Sequence, residues 1–79
     1  MTTAYVLINC EMGYEAEVID EIKQLEDVKE AHGVFGAYDI LVKVESDNVE
    51  NLRDTISWKI RKLNRVRSTL TLMVIESQD

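Results

Sequence analysis

The sequence predicts an α+β domain of order β-α-β-β-α-β, a four-stranded antiparallel sheet with two helices on one of its faces. Three observations carry that expectation. Four short segments are rich in β-branched and aromatic residues, two longer ones repeat apolar residues every three or four positions, and glycine or Ser-Asp-Asn clusters punctuate the intervals. At 79 residues the chain has room for one hydrophobic core, so residues 1–79 are read as a single domain.

Thr3 to Cys10 is a strand, short and free of breakers. Gly13 interrupts it, and from Tyr14 to Leu25 the residues Val18, Ile22 and Leu25, widened by Ile19, make one helical stripe against Glu, Asp, Lys and Gln. Val28 to Val34 is a second strand, followed by a turn between Gly33 and Gly36. Tyr38 to Val44 is the third, and Ser46-Asp47-Asn48 then offers a helix cap. Val49, Leu52, Ile56, Ile60 and Leu63 fall within about 40° of one line on a helical wheel, giving a helix from Val49 to Leu63. Val66 to Glu76 closes the chain as a strand. With right-handed crossovers this order has one common compact solution, the ferredoxin-like fold.

So small a domain buries only about 60% of its chain surface on folding, and needs help. Cys10 is the one cysteine and His32 the one histidine, which removes an intrachain disulfide and the usual four-ligand zinc site. No metal or cofactor is expected, and self-association is the remaining source of stability. The net charge of −6 argues against a nucleic-acid backbone as main partner. Its distribution is uneven: residues 11–30 hold eight carboxylates against Lys23 and Lys29, while 53–67 hold six cations against Asp54. The fold would set these two helices side by side and satisfy the asymmetry internally. No apolar run approaches the ~18 residues of a membrane span, and the N-terminus lacks the pattern of a secretion signal. A cytoplasmic protein without membrane contact is expected.

Alternation along the strands separates the two sheet faces. Ala4, Val6, Ile8, Cys10, Ile40, Val42, Val44, Leu70, Leu72 and Val74 are assigned to the helix side, which makes Cys10 a small hydrophobe. The open face then carries Tyr5, Leu7, Leu41, Met73 and Ile75, with Asn9, Asp39, Lys43, Thr69 and Thr71, and Ala31 and Phe35 from the second strand. That is too much apolar surface for a wet face. A second copy of the chain, sheet against sheet in a two-fold dimer, is expected to cover Tyr5, Leu7, Leu41, Met73 and Ile75. Trp58 lies far from the apolar line of its helix and is expected to be exposed.

Enzyme chemistry has little support: there is no phosphate-cradling loop, no histidine pair and no nucleophile with a base. The informative residues are Gly36, Tyr38 and Asp39 at the start of the third strand and the alternating hydroxyls Thr69 and Thr71. Exposed amides and hydroxyls suit a carboxylate, and Asp39 suits an ammonium, so the set fits a small zwitterion. A plain tight turn, with threonine serving strand propensity, accounts for the same residues.

Val34-Phe35-Gly36-Ala37-Tyr38-Asp39 running into Ile40-Leu41-Val42-Lys43-Val44, with Val66-Arg67-Ser68-Thr69-Leu70-Thr71 downstream, resembles the effector-binding domain of the Lrp/AsnC family, also called the regulation of amino acid metabolism domain. The similarity covers essentially the whole chain. It implies a ferredoxin-like domain that dimerises through its sheets, assembles dimers into rings and binds amino acids between dimers. It also implies ligand contacts at Gly36, Tyr38 and Asp39 and at the hydroxyls Thr69 and Thr71. Phe35 departs from the small or hydroxylated residue common before the glycine, and Asn64-Arg65 stands where Pro-Gly is frequent. The 79 residues leave no space for the family's helix-turn-helix, so no direct DNA binding is expected.

The functional expectation is a non-enzymatic, stand-alone domain that binds an amino acid effector and changes its own assembly or its assembly with a full-length regulator. The alternative is a small dimeric ferredoxin-like enzyme, monooxygenase- or isomerase-like. The aliphatic interior positions count against it.

Overall fold

A computed structural model describes residues 1–75. The elements are β1 (Thr2–Cys10), α1 (Glu15–Lys23), β2 (Val28–Gly33), β3 (Ile40–Ser46), α2 (Val49–Asp54) continuing as a π-helical segment (Thr55–Ile60), and β4 (Val66–Met73). The sheet order is β2-β3-β1-β4, antiparallel at every pairing, which is the expected ferredoxin-like arrangement. Val18 and Ile22 of α1 and Leu52, Ile56 and Ile60 of the second helix pack in one cluster with Ala4, Val6, Ile8, Cys10, Ile40, Val42 and Val44. Both helices therefore lie on the same face.

Asn48 caps α2, its Oδ1 accepting from the Asn51 N–H at 2.8 Å. Beyond Asp54 the helix widens: Arg61 N–H donates to the carbonyl of Ile56, five residues back, at 3.0 Å. Thr55 is buried at this junction, and its hydroxyl donates to Asp27 Oδ2 at 2.7 Å, tying the second helix to the loop before β2. β3 begins and ends two residues later than the sequence suggests. Tyr38 and Asp39 belong to the turn, and Thr2 and Thr3 of β1 hold Ser46 and Glu45 in the ladder. β4 ends at Met73, although Val74 N–H still donates to Thr3. The expected end of the last strand at Glu76 lies outside the described residues.

The faces of β1 and β3 are as expected, and Cys10 is buried. Those of β4 are reversed. Leu70 pairs with Leu7 and Leu72 with Tyr5, whereas Thr69, Thr71 and Met73 pair with Ile8, Val6 and Ala4. Opposed residues of an antiparallel pair share a face, so the leucines belong to the open side and Thr69, Thr71 and Met73 to the helix side. The cause is a bulge. Asn9 pairs with Ser68 but Cys10 with Val66, so Arg67 is an extra residue. Val66 packs on the core as its parity predicts, and every residue beyond Arg67 is turned over.

The second strand corrects another assignment for the same reason. Its register shifts between Val28 and Glu30, and Ala31 pairs with Val42 and is buried on the helix side rather than open. Phe35 lies beyond β2, fully exposed in the turn and on neither face. Ile75 likewise lies beyond β4 and is exposed.

Candidate functional site

The turn between β2 and β3 is fastened at its base. Gly33 pairs with Ile40, Val34 N–H donates to the Asp39 carbonyl at 2.8 Å, and Asp39 N–H donates to the Ile8 carbonyl at 2.9 Å. The Asp39 carboxylate accepts from the Cys10 N–H at 3.0 Å, so it also finishes the end of β1. Gly36 sits at φ +150°, a conformation L side chains rarely adopt, and a Cβ there would meet nothing within 4 Å. Backbone freedom, not space, is what the position uses. Gly36, Tyr38 and Asp39 thus share one solvent-facing turn, as the sequence implies.

Thr69 and Thr71 are elsewhere. With Met73 they line a cleft of about 460 Å³ between β4 and the second helix, whose other walls are Arg53, Ile56, Ser57 and Arg61. Asp39 is bonded to Ile8 from the β3 side and Thr69 is paired with Ile8 from the β4 side. Two strand spacings, about 10 Å, separate them. The expectation that Thr69 and Thr71 share an open face with Asp39 is corrected by the bulge at Arg67, and a single chain does not bring the carboxylate and the hydroxyls together.

Sequence reasoning missed Arg53, Ser57 and Arg61 because it read this helix for its apolar row. The available signal was their own spacing of four, which places all three on the cleft. The expected mutual neutralisation of the two helices is not what the structure shows: among the described residues no cation of the second helix lies within 4.0 Å of a carboxylate, and the pairing near α1 comes from Arg65, beyond that helix, whose guanidinium lies 3.4 Å from Glu11, 3.8 Å from Glu17 and 4.0 Å over the Tyr14 ring. Among the described residues neither Arg53 nor Arg61 has a carboxylate within 4.0 Å. Lys62 stacks 5.0 Å from the ring of Trp58, which is exposed as expected.

The open face is built of cross-strand rows. Leu70, Leu7, Leu41 and His32 form one, and Leu72, Tyr5, Lys43 and Glu30 the next. Leucines and tyrosine occupy the β4–β1 half, with Leu70 and Leu72 44% and 51% exposed. The β2 edge is charged: His32 Nε2 lies 3.0 Å from Glu30 and Lys43 lies 4.0 Å from Glu30 and 3.7 Å from Glu45. The hydrogen bond from His32, helped by Lys43, holds the Glu30 carboxyl below its usual range. At the other end of β1, burial and then the carboxylates of Asp39, Glu15 and Glu11 raise the Cys10 thiol.

Residues 3–78 match the family model described as the Lrp/AsnC ligand binding domain. The chain is 35% identical over 75 residues to an uncharacterized HTH-type transcriptional regulator of Pyrococcus furiosus, a match covering 91% of this chain and 50% of that one. It is also 35% identical over 74 residues to a homocitrate synthase of Sulfolobus acidocaldarius, covering 92% of this chain and 16% of the enzyme. Among solved structures, the crystal structure of FFRP-DM1 superposes with a TM-score of 0.91 at 40% identity, covering 95% of this chain and all of that one. The chain spans about half the length of the curated regulators first matched, and a much smaller share of the synthase.

Proposed function

The chain belongs to the Lrp/AsnC ligand-binding-domain family, and on that premise we propose that residues 1–79 form one sensing domain, which binds an amino acid effector between copies of itself and reports it through assembly. One observation carries this reading: the two halves of the expected site lie on opposite edges of β1, Asp39 beside one and Thr69 and Thr71 beside the other. A zwitterion held by both needs the turn of one copy against the cleft of another. The ligand then stabilises whichever assembly completes its site, by its differential affinity for the two states.

The relatives support a sensing rather than a catalytic role. The same module lies within HTH-type regulators and within homocitrate synthases. What a DNA-binding protein and a biosynthetic enzyme share is a need to read a metabolite level, not a reaction. A full-length regulator of the family is the natural partner for co-assembly.

Dimerisation uses the open sheet face, with Tyr5, Leu7, Leu41, Leu70 and Leu72 at its centre. A contiguous apolar field of this type on a 79-residue chain suits a second copy across a two-fold axis. The test is light scattering combined with thermal denaturation across the twenty amino acids. A dimer or a multiple of it in buffer, with at least one amino acid raising both Tm and assembly mass, is expected. No response from any of the twenty would overturn the sensing role, and a monomer at micromolar concentration would overturn the dimer. Leu72→Lys should convert the dimer to monomer with its circular dichroism spectrum unchanged.

A further inference from the structure

We propose that the cleft between β4 and the second helix selects an amino acid whose side chain ends in a carboxylate, aspartate or glutamate, with Arg53 and Arg61 as the selecting residues. The inference rests on the effector-sensing reading and narrows it to a ligand class. Arg53, Ser57 and Arg61 recur every four residues and look across the cleft at Thr69 and Thr71. One wall therefore carries two guanidinium groups and the other two hydroxyls, with Ile56 on the helix wall and Met73 on the strand wall adding apolar lining.

Most lysines and arginines of this chain have no carboxylate within 4.0 Å among the described residues, and what singles out Arg53 and Arg61 is that both border one cleft. Fifteen Asp and Glu residues are present, and Arg65 engages two of them. Arg53 and Arg61 have none within 4.0 Å among the described residues, although both border the same cleft. Two cations facing one cleft with no counter-ion among the described residues leave a local positive potential there, which an anion can satisfy. Guanidinium presents a planar fork of donors that fits a carboxylate with two parallel bonds, while hydroxyls accept and donate in any mixture. The division of labour follows: Thr69, Thr71 and Ser57 take the α-carboxylate, the Asp39 turn of another copy takes the ammonium, and the arginines take the side-chain anion.

A neutral amide would fail at the arginines. Glutamine and asparagine have the shape of glutamate and aspartate, but their NH₂ group would point donors at donors, and the remaining oxygen carries no charge. The difference between a charged and a neutral hydrogen bond predicts a preference of about tenfold in Kd for each acid over its amide.

The experiment is isothermal titration of the intact chain with glutamate, glutamine, aspartate and asparagine, with inorganic phosphate as a control for simple anion attraction. Trp58, the one tryptophan, lies beside Ser57 and Arg61 and gives a local fluorescence readout. Expected are tighter binding of the acids, a change in Trp58 emission on binding, and loss of the preference in the Arg53→Gln, Arg61→Gln double variant. Equal or tighter binding of the amides overturns the proposal while leaving effector sensing intact, and so does an acid preference that survives the double variant. Phosphate binding as tightly as glutamate reduces the cleft to an unspecific anion patch, which also overturns it. If no amino acid of the twenty binds, both this inference and the sensing role fall. The wild-type comparison of acid with amide decides the matter even if the double variant misfolds.

Discussion

β1 and β4 are hydrogen-bonded neighbours with similar compositions, and they occupy opposite positions in the energetics of the fold. In β1, Ala4, Val6 and Ile8 are completely buried, and the strand is laddered on both sides. In β4 no residue is fully buried, the far edge is unpaired, and leucines point away from the helices while threonines point toward them. The helices cover β1 and stop short of β4. What differs is who supplies the surroundings: the chain itself for β1, a ligand and a second copy for β4 on the reading above. An apolar residue in a central strand reports the core, whereas one in an edge strand can report a partner.

The contrast can be broken most severely at matched leucine and isoleucine sites. Ile8→Ala should cost about 2–5 kcal/mol, because it opens a cavity in a closed core. Leu70→Ala, measured below the dissociation concentration so that only the monomer is seen, should cost less than about 1 kcal/mol. Urea midpoints of the two variants would show it, and equal losses would erase the distinction between the strands.

A smaller effect is expected where β1 ends. Asp39→Ala removes a charge-assisted acceptor from the Cys10 N–H and should lower stability by about 1–2 kcal/mol whether or not ligand is present. The same variant should weaken effector binding without dissociating the dimer, so calorimetry and denaturation together separate its two roles. Unchanged affinity for a confirmed effector would leave Asp39 with the structural role alone.

The smallest effect concerns the thiol at that end. Cys10 is raised in the folded chain, so the folded state holds its proton more tightly than the unfolded state does. That contribution is fully present below the ordinary thiol pKa of about 8.5 and is lost as pH rises through it toward the folded value. Stability should therefore decline with pH in this window more steeply in the wild type than in Cys10→Ala. Parallel curves from pH 7 to about pH 10 would refute the assignment.

Element order and the core were legible in the sequence because periodicity and burial coincide there: Val18 and Ile22, Leu52, Ile56 and Ile60, and the inward residues of β1 and β3 all have one environment to satisfy. The turn at Gly36, Tyr38 and Asp39 was legible because glycine with an unusual φ and a strand-starting carboxylate leave a local signature. The faces of β4 were not. Alternation carries no marker for the extra residue at Arg67, and leucines alternating with threonines read equally well in either orientation. Arg53, Ser57 and Arg61 were hidden for a related reason. A basic helix face ordinarily means solvent, and only the position of β4 across from it turns that face into a wall.

The bulge at Arg67 is therefore a switch in the arithmetic of the chain. Deleting that one residue would swap the two faces of β4, sending Leu70 and Leu72 toward the helices and Thr69 and Thr71 onto the open face beside Leu7 and Tyr5. The proposed ligand cleft and the proposed dimer face would then be lost in one step, because a single residue count sets both.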